Sequence, residues 1–167
     1  MILQSTKKLQ EFVGVKPTEI EIDTLSSWHG NIFNIGRRKC LLITHTATLY
    51  SAFFYGVTKK DLPLFLEMMR DRVMELMRQD NFTLQELSIM REGFIDINYT
   101  KTSSRSVLGS MNDMKNMLDW YDMSEDEISL AKRINKTPYK IGGYIYPKEA
   151  LRALLKEKIQ QKVKNDK

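Results

Sequence analysis

The sequence has few of the residues that build covalent or metal frameworks. Cys40 is its single cysteine, which excludes an internal disulfide and sets aside the small, disulfide-stapled secreted class. His29 and His45 are its only histidines, and no zinc-ligand spacing joins them to Cys40. Strand alternation would also put Cys40 and His45 on opposite faces, so neither a metal nor a cofactor is expected. Neither GxxxxGK[ST] nor GxGxxG occurs, which excludes the two commonest glycine-loop nucleotide sites. Cys40 to Val57 lacks Asp, Glu, Lys and Arg, yet it carries Thr44, His45, Thr46, Thr48, Tyr50 and Ser51. That polar load reads as two strands and a turn, not a membrane span. The opening MILQSTKKLQEF lacks the basic-then-apolar pattern of a secretion signal. With one thiol and no span, the expected setting is the cytoplasm, away from membranes.

What is present fits one globular unit. The chain has 167 residues, 42% of them hydrophobic and 28% charged, which is enough to bury a real core. A net charge of +5 permits a nucleic acid or an acidic protein partner without requiring either. Ten methionines, concentrated in helical stretches, read as core filling.

Periodicity organises the chain. A short strand at Met1–Gln4 precedes a helix from Ser5, which Gly14 and Pro17 end. Asn31–Ile35, Cys40–His45 and Leu49–Val57 read as an antiparallel meander with a basic turn at Gly36-Arg37-Arg38-Lys39. Asp61 is expected to cap a helix running to about Asp80. The Thr83/Glu86 and Ser124/Glu127 pairs have capping-box spacing. Phe94–Thr100 alternates as a half-buried strand, with Ile95, Ile97 and Tyr99 on one face. Thr137–Tyr146 reads as loop with a short strand near Tyr144, and Pro147 opens a final amphipathic helix with a basic end.

Two places invite an anion. In YTKTSSRSVLGSMNDM a strand ends, and Ser103 or Ser104 caps a helix. Lys101 and Arg105 flank the positive end of that helix dipole, a conflict that a phosphate or carboxylate resolves. Thr102 and Ser103 add hydroxyl donors. An internal Asp or Glu pairing Arg105 would resolve the conflict equally well. Gly109, costly inside a helix, suggests close approach by another element. Arg37, Arg38 and Lys39 form the second place, a hairpin tip that suits phosphates or serves only solubility. His29, His45 and Arg105 are the candidates for acid–base chemistry and charge stabilisation, if the chain is an enzyme at all.

Three blocks carry a family resemblance: MILQSTKKL, WHGNIFNIGRRKCLLITHTATLYSAFFYGV and KTSSRSVLGSMNDM. They resemble a family of small uncharacterised bacterial proteins, a domain of unknown function, over about the first 120 residues. The resemblance implies a shared fold there and carries over no activity, cofactor or catalytic residue.

The expected fold is α+β: an antiparallel sheet of about four to five strands with helices packed on it. Residues 1–122 are expected to form the core, and 123–167 a helical extension packed on it. The first functional expectation is a binding module for an anionic partner, nucleic acid foremost, through Arg37, Arg38, Lys39, Lys101 and Arg105. The alternatives are a metal-independent, nuclease-like hydrolase and a protein–protein partner in a regulatory or toxin–antitoxin pair.

Overall fold

In the computed structural model, which describes residues 1–165, the chain opens with β1 (Ile2–Ser5), buried throughout. Thr6 caps α1 (Lys7–Val13) by accepting the Leu9 N–H, and Gly14 ends it with a left-handed φ of 79°. β2 (Ser27–Ile35), β3 (Arg38–His45) and β4 (Ser51–Tyr55) form the expected meander. Gly36 takes φ 56° at the first central position of the β2–β3 turn, where a II′ turn needs glycine. A 3₁₀ turn (Lys59–Leu64) leads into α2 (Phe65–Gln79), so the helix expected from Asp61 starts later, beyond Pro63. α3 (Leu84–Glu92) carries the expected Thr83/Glu86 capping box. β5 (Asn98–Lys101) and α4 (Arg105–Trp120) follow, with Ser104 as the cap. α5 (Glu127–Lys136), a hairpin of β6 (Tyr139–Lys140) and β7 (Tyr144–Ile145), and α6 (Pro147–Asn165) complete the described chain.

The sheet is mixed, which corrects the antiparallel expectation. Its order is β4-β3-β2-β1-β5, and β1 runs parallel to both neighbours. The cause is α1: a helix after a short strand carries the chain back, so the next strand enters in the same direction.

Helices cover both faces. Leu3, Trp28 and His45 are cross-strand partners and share one face. Gly30 lies on that face under α1, so closely that a Cβ there would stand 2.6 Å from Leu9 Cδ2. Thr100, Gln4, His29, Thr44 and Ser51 form a buried polar row across the other face. α4 crosses this row. At one end the Ser103 N–H and hydroxyl donate to Gln4 Oε1 at 3.1 and 2.6 Å. At the other, Met114 Sδ accepts from Thr44 Oγ1 at 3.8 Å and Ser51 Oγ at 3.3 Å.

β4 is an edge strand closed by side chains. Asn135 of α5 accepts the Ser51 N–H at 2.7 Å and donates to the Ser51 carbonyl at 2.9 Å. Arg72 donates to the Phe53 carbonyl at 2.8 Å, and Glu127, ion-paired with Arg72, accepts the Tyr55 N–H. The outward backbone groups of β4 thus meet polar side chains where a neighbouring strand would otherwise dock. Leu130, Ala131 and Ile134 of α5 and Leu151 and Leu155 of α6 join the same hydrophobic core as the sheet.

Three local expectations change. Asp126, not Ser124, caps α5, because its carboxylate accepts the Ser129 N–H while Ser124 is held by Asp122. The strand expected over Phe94–Thr100 shrinks to Asn98–Lys101, since Phe94 turns inward against Trp28, ring centroids 5.6 Å apart, and Ile95 is left 81% exposed. Among the described residues nothing lies within 4 Å of where a Gly109 Cβ would sit, so none of their elements approaches it. No helix among the described residues is long and apolar enough to cross a membrane.

Candidate anion-binding groove

β1 stops at Ser5, opposite Gly30, while β2 continues to Ile35, roughly 16 Å further at the usual rise of a strand. The β2–β3 hairpin therefore projects past β1 as an arm. α1 leaves the end of β1 toward one face of the sheet, and α4 follows the end of β5 on the other. A crevice between two such departures, at the carboxyl ends of parallel strands, is where open α/β sheets hold ligands.

A groove of about 560 Å³ occupies this place. α1 supplies Lys8, Glu11 and Phe12, which helical spacing puts on one side. β2 supplies Ile32, Phe33 and Asn34 from the arm. Alternation sets Lys39 on the face that α1 covers, where its Nζ stands 5.3 Å from the Phe12 ring centroid. Lys59, in the 3₁₀ turn after β4, reaches the same ring at 5.8 Å. From the other face, Lys115 of α4 comes 5.9 Å from the Phe33 ring. Both rings are nearly buried, at 7% and 8% exposure, so the ammonium groups form the accessible surface above them.

The charge of the groove is unbalanced. Among the described residues Lys8, Lys39 and Lys59 enter no ion pair, and Lys115 meets only Asp119, at 3.5 Å. Glu11 is the one acid in the lining among the described residues. Like charges held together without counter-charges favour the arrival of an anion.

The residues singled out by sequence fall into three groups. Lys39 lines the groove, while Arg37 and Arg38 are exposed at the tip of the arm. Lys101 and Arg105 are exposed at the end of β5, make no ion pair among the described residues, and lie at the same end of the sheet, since Ser5 is in register with both Gly30 and Lys101. The internal carboxylate considered for Arg105 is therefore not in place. Thr102 is half-buried, and the Ser103 donors are already engaged by Gln4.

The two histidines lie on opposite faces and are fully buried. His45 Nε2 contacts the Leu25 carbonyl at 3.1 Å and Nδ1 the Thr48 hydroxyl at 2.9 Å, which fits a neutral ring donating from Nε2. His29 Nδ1 meets Thr46 Oγ1 at 3.0 Å, and its Nε2 has no partner among the described residues. Burial pulls both imidazoles down from 6.5 to about 4. Neither ring reaches the groove lining.

Lys8, Lys59 and Lys115 were not legible as site residues, because four separate elements bring the lysines together. The one local signal was the Lys8–Phe12 pair, a single helical turn apart.

These features define an α+β domain on a mixed five-stranded sheet, with a basic crevice at its strand ends. The chain matches the model of a domain of unknown function, DUF6933, over residues 2–150, and it belongs to that family. The match runs past the three sequence blocks, through α5 and the β6–β7 hairpin and into α6. No curated protein matches the chain.

Proposed function

We propose that this protein is a binding module for an anionic partner, seated in the lysine-ringed groove. One observation carries the reading: Lys8, Lys39, Lys59 and Lys115 converge from separate elements on one crevice that contains a single acid. Arg37 and Arg38 on the arm, and Lys101 and Arg105 beside β5, extend positive charge along the same end of the sheet. A nucleic acid or an acidic protein segment supplies the complementary charge. The hydrolytic alternative finds less support, since His29 and His45 are fully buried and stand outside the groove lining.

The test is binding of a labelled oligothymidylate and of polyglutamate over a salt series. Wild-type affinity is expected to fall as salt rises. Lys39→Ala/Lys59→Ala should weaken binding about tenfold and, for the single-stranded oligonucleotide, lower the salt slope by about 1.4. Salt-insensitive binding, or binding that the double variant leaves unchanged, overturns the proposal.

A further inference from the structure

The groove has a second property beyond its charge. The Ile2 N–H donates to Ser26 and the Thr6 N–H to Gly30, so the even-numbered residues of β2 aim their backbone groups at β1. On the far side of the arm, Lys39 accepts from Gly56 and Val57, so β3 turns its even residues toward β2, in register with the odd residues of β2. Ile32 and Asn34 therefore point their N–H and C=O groups to the β1 side, above the place where β1 has ended. Among the described residues neither N–H finds a partner. Ile32 and Phe33 present side chains to opposite faces of the arm, yet both line one groove, so that groove wraps the open edge of the strand.

Resting on the anion-binding reading, we propose that this edge takes an extended acidic peptide as an added strand. The peptide main chain pairs with Ile32 and Asn34, and its carboxylates meet Lys8, Lys39 and Lys59 on the face that α1 covers, with Lys115 on the opposite face. Strand addition uses main-chain hydrogen bonds for affinity and side-chain contacts for selection. Lysines along an edge also repel a second copy of the same edge, which leaves an acidic strand as the compatible occupant. A nucleic acid fits less well: the Phe12 and Phe33 rings lie beneath ammonium groups, out of reach of a stacking base, and phosphates leave the main-chain groups unpaired.

The test uses the full chain and a synthetic peptide of alternating Glu and Val. Two derivatives carry N-methyl groups, one on the odd and one on the even positions. The expected result has three parts. The unmodified peptide binds and slows amide exchange at Ile32 and Asn34. One N-methyl series loses tenfold or more in affinity. The other binds as before, because only alternate N–H groups face the edge. Binding that leaves both amides unprotected and ignores methylation overturns strand addition while the anionic reading survives. Tighter binding of an oligonucleotide of equal charge, again without protection, assigns the groove to nucleic acid. Protection of both amides in the free protein, together with dimerisation, assigns the edge to a second copy. No polyanion binding at low salt overturns this inference and the anionic reading together.

Discussion

Asn135 gives the sharpest prediction about the fold. Its amide is fully buried and satisfies both the N–H and the C=O of Ser51, on the outer edge of β4. Asn135→Leu keeps the bulk, removes both partners and leaves no room for a bridging water. Each orphaned buried group costs about 1–3 kcal/mol, so the variant should lose about 2–6 kcal/mol. Domains of this kind are stable by about 5–15 kcal/mol, so the loss is large. At about 2–4 °C per kcal/mol for a chain of this length, Tm should fall by roughly 4–24 °C. Urea unfolding followed by circular dichroism measures the loss, as a lower midpoint at unchanged slope. Asn135→Asp supplies a control with a different signature. Its carboxylate still accepts the Ser51 N–H but cannot donate to the Ser51 carbonyl until it is protonated. The folded state thus raises the pKa of this carboxyl. Its deficit against wild type should shrink as pH falls and grow as pH rises through that value. A loss under about 0.5 kcal/mol for Asn135→Leu, no more than an ordinary surface change causes, would mean that the Ser51 backbone groups do not depend on Asn135.

Two further predictions concern the sheet and its histidines. Gly30→Ala places a methyl 2.6 Å from Leu9 Cδ2 and 3.0 Å from Leu3 Cδ1, both fully buried, and should cost about 1–3 kcal/mol by overpacking. Adding Leu9→Val should recover part of that loss, and a purely additive double variant in urea unfolding would contradict it. His29 and His45 are held near 4 in the fold, against 6.5 ordinarily. The unfolded chain therefore takes up these protons first. Stability is complete above about pH 6.5 and drains away toward pH 4, by up to about 1.4 kcal/mol per pH unit for each ring. A urea midpoint that stays level from about pH 7 to about pH 4.5 would contradict this.

Local chemistry was legible where a few adjacent residues decide the outcome. Thr83 and Glu86 announce α3, and Gly36 announces the β2–β3 turn, because a cap and a tight turn are settled within four residues. Ser124 and Glu127 have the same spacing but lost to Asp126, which accepts the Ser129 N–H, while the Glu127 carboxylate reaches away to Tyr55 and Arg72. The parallel pairing of β1 was not legible. A four-residue strand carries no mark of its neighbours, and the hairpins that followed favoured an antiparallel reading. The groove was legible only in part. Lys39 stood out in its basic turn, but Lys8, Lys59 and Lys115 become neighbours only after β1 ends early and leaves the arm uncovered. The edge cap by Asn135 spans the gap from β4 to α5, and sequence spacing gives no hint of it.

The groove beside the end of β1 is the proposed seat of the anion. The most direct measurement is a nuclear magnetic resonance titration of the labelled protein with polyglutamate at low salt, read residue by residue. The largest shifts are expected at Lys8, Phe12, Ile32, Asn34, Lys39 and Lys115, with smaller ones at Arg37 and Arg105. Shifts confined to the lysine-rich end of α6, or spread evenly over the basic surface, would contradict that placement.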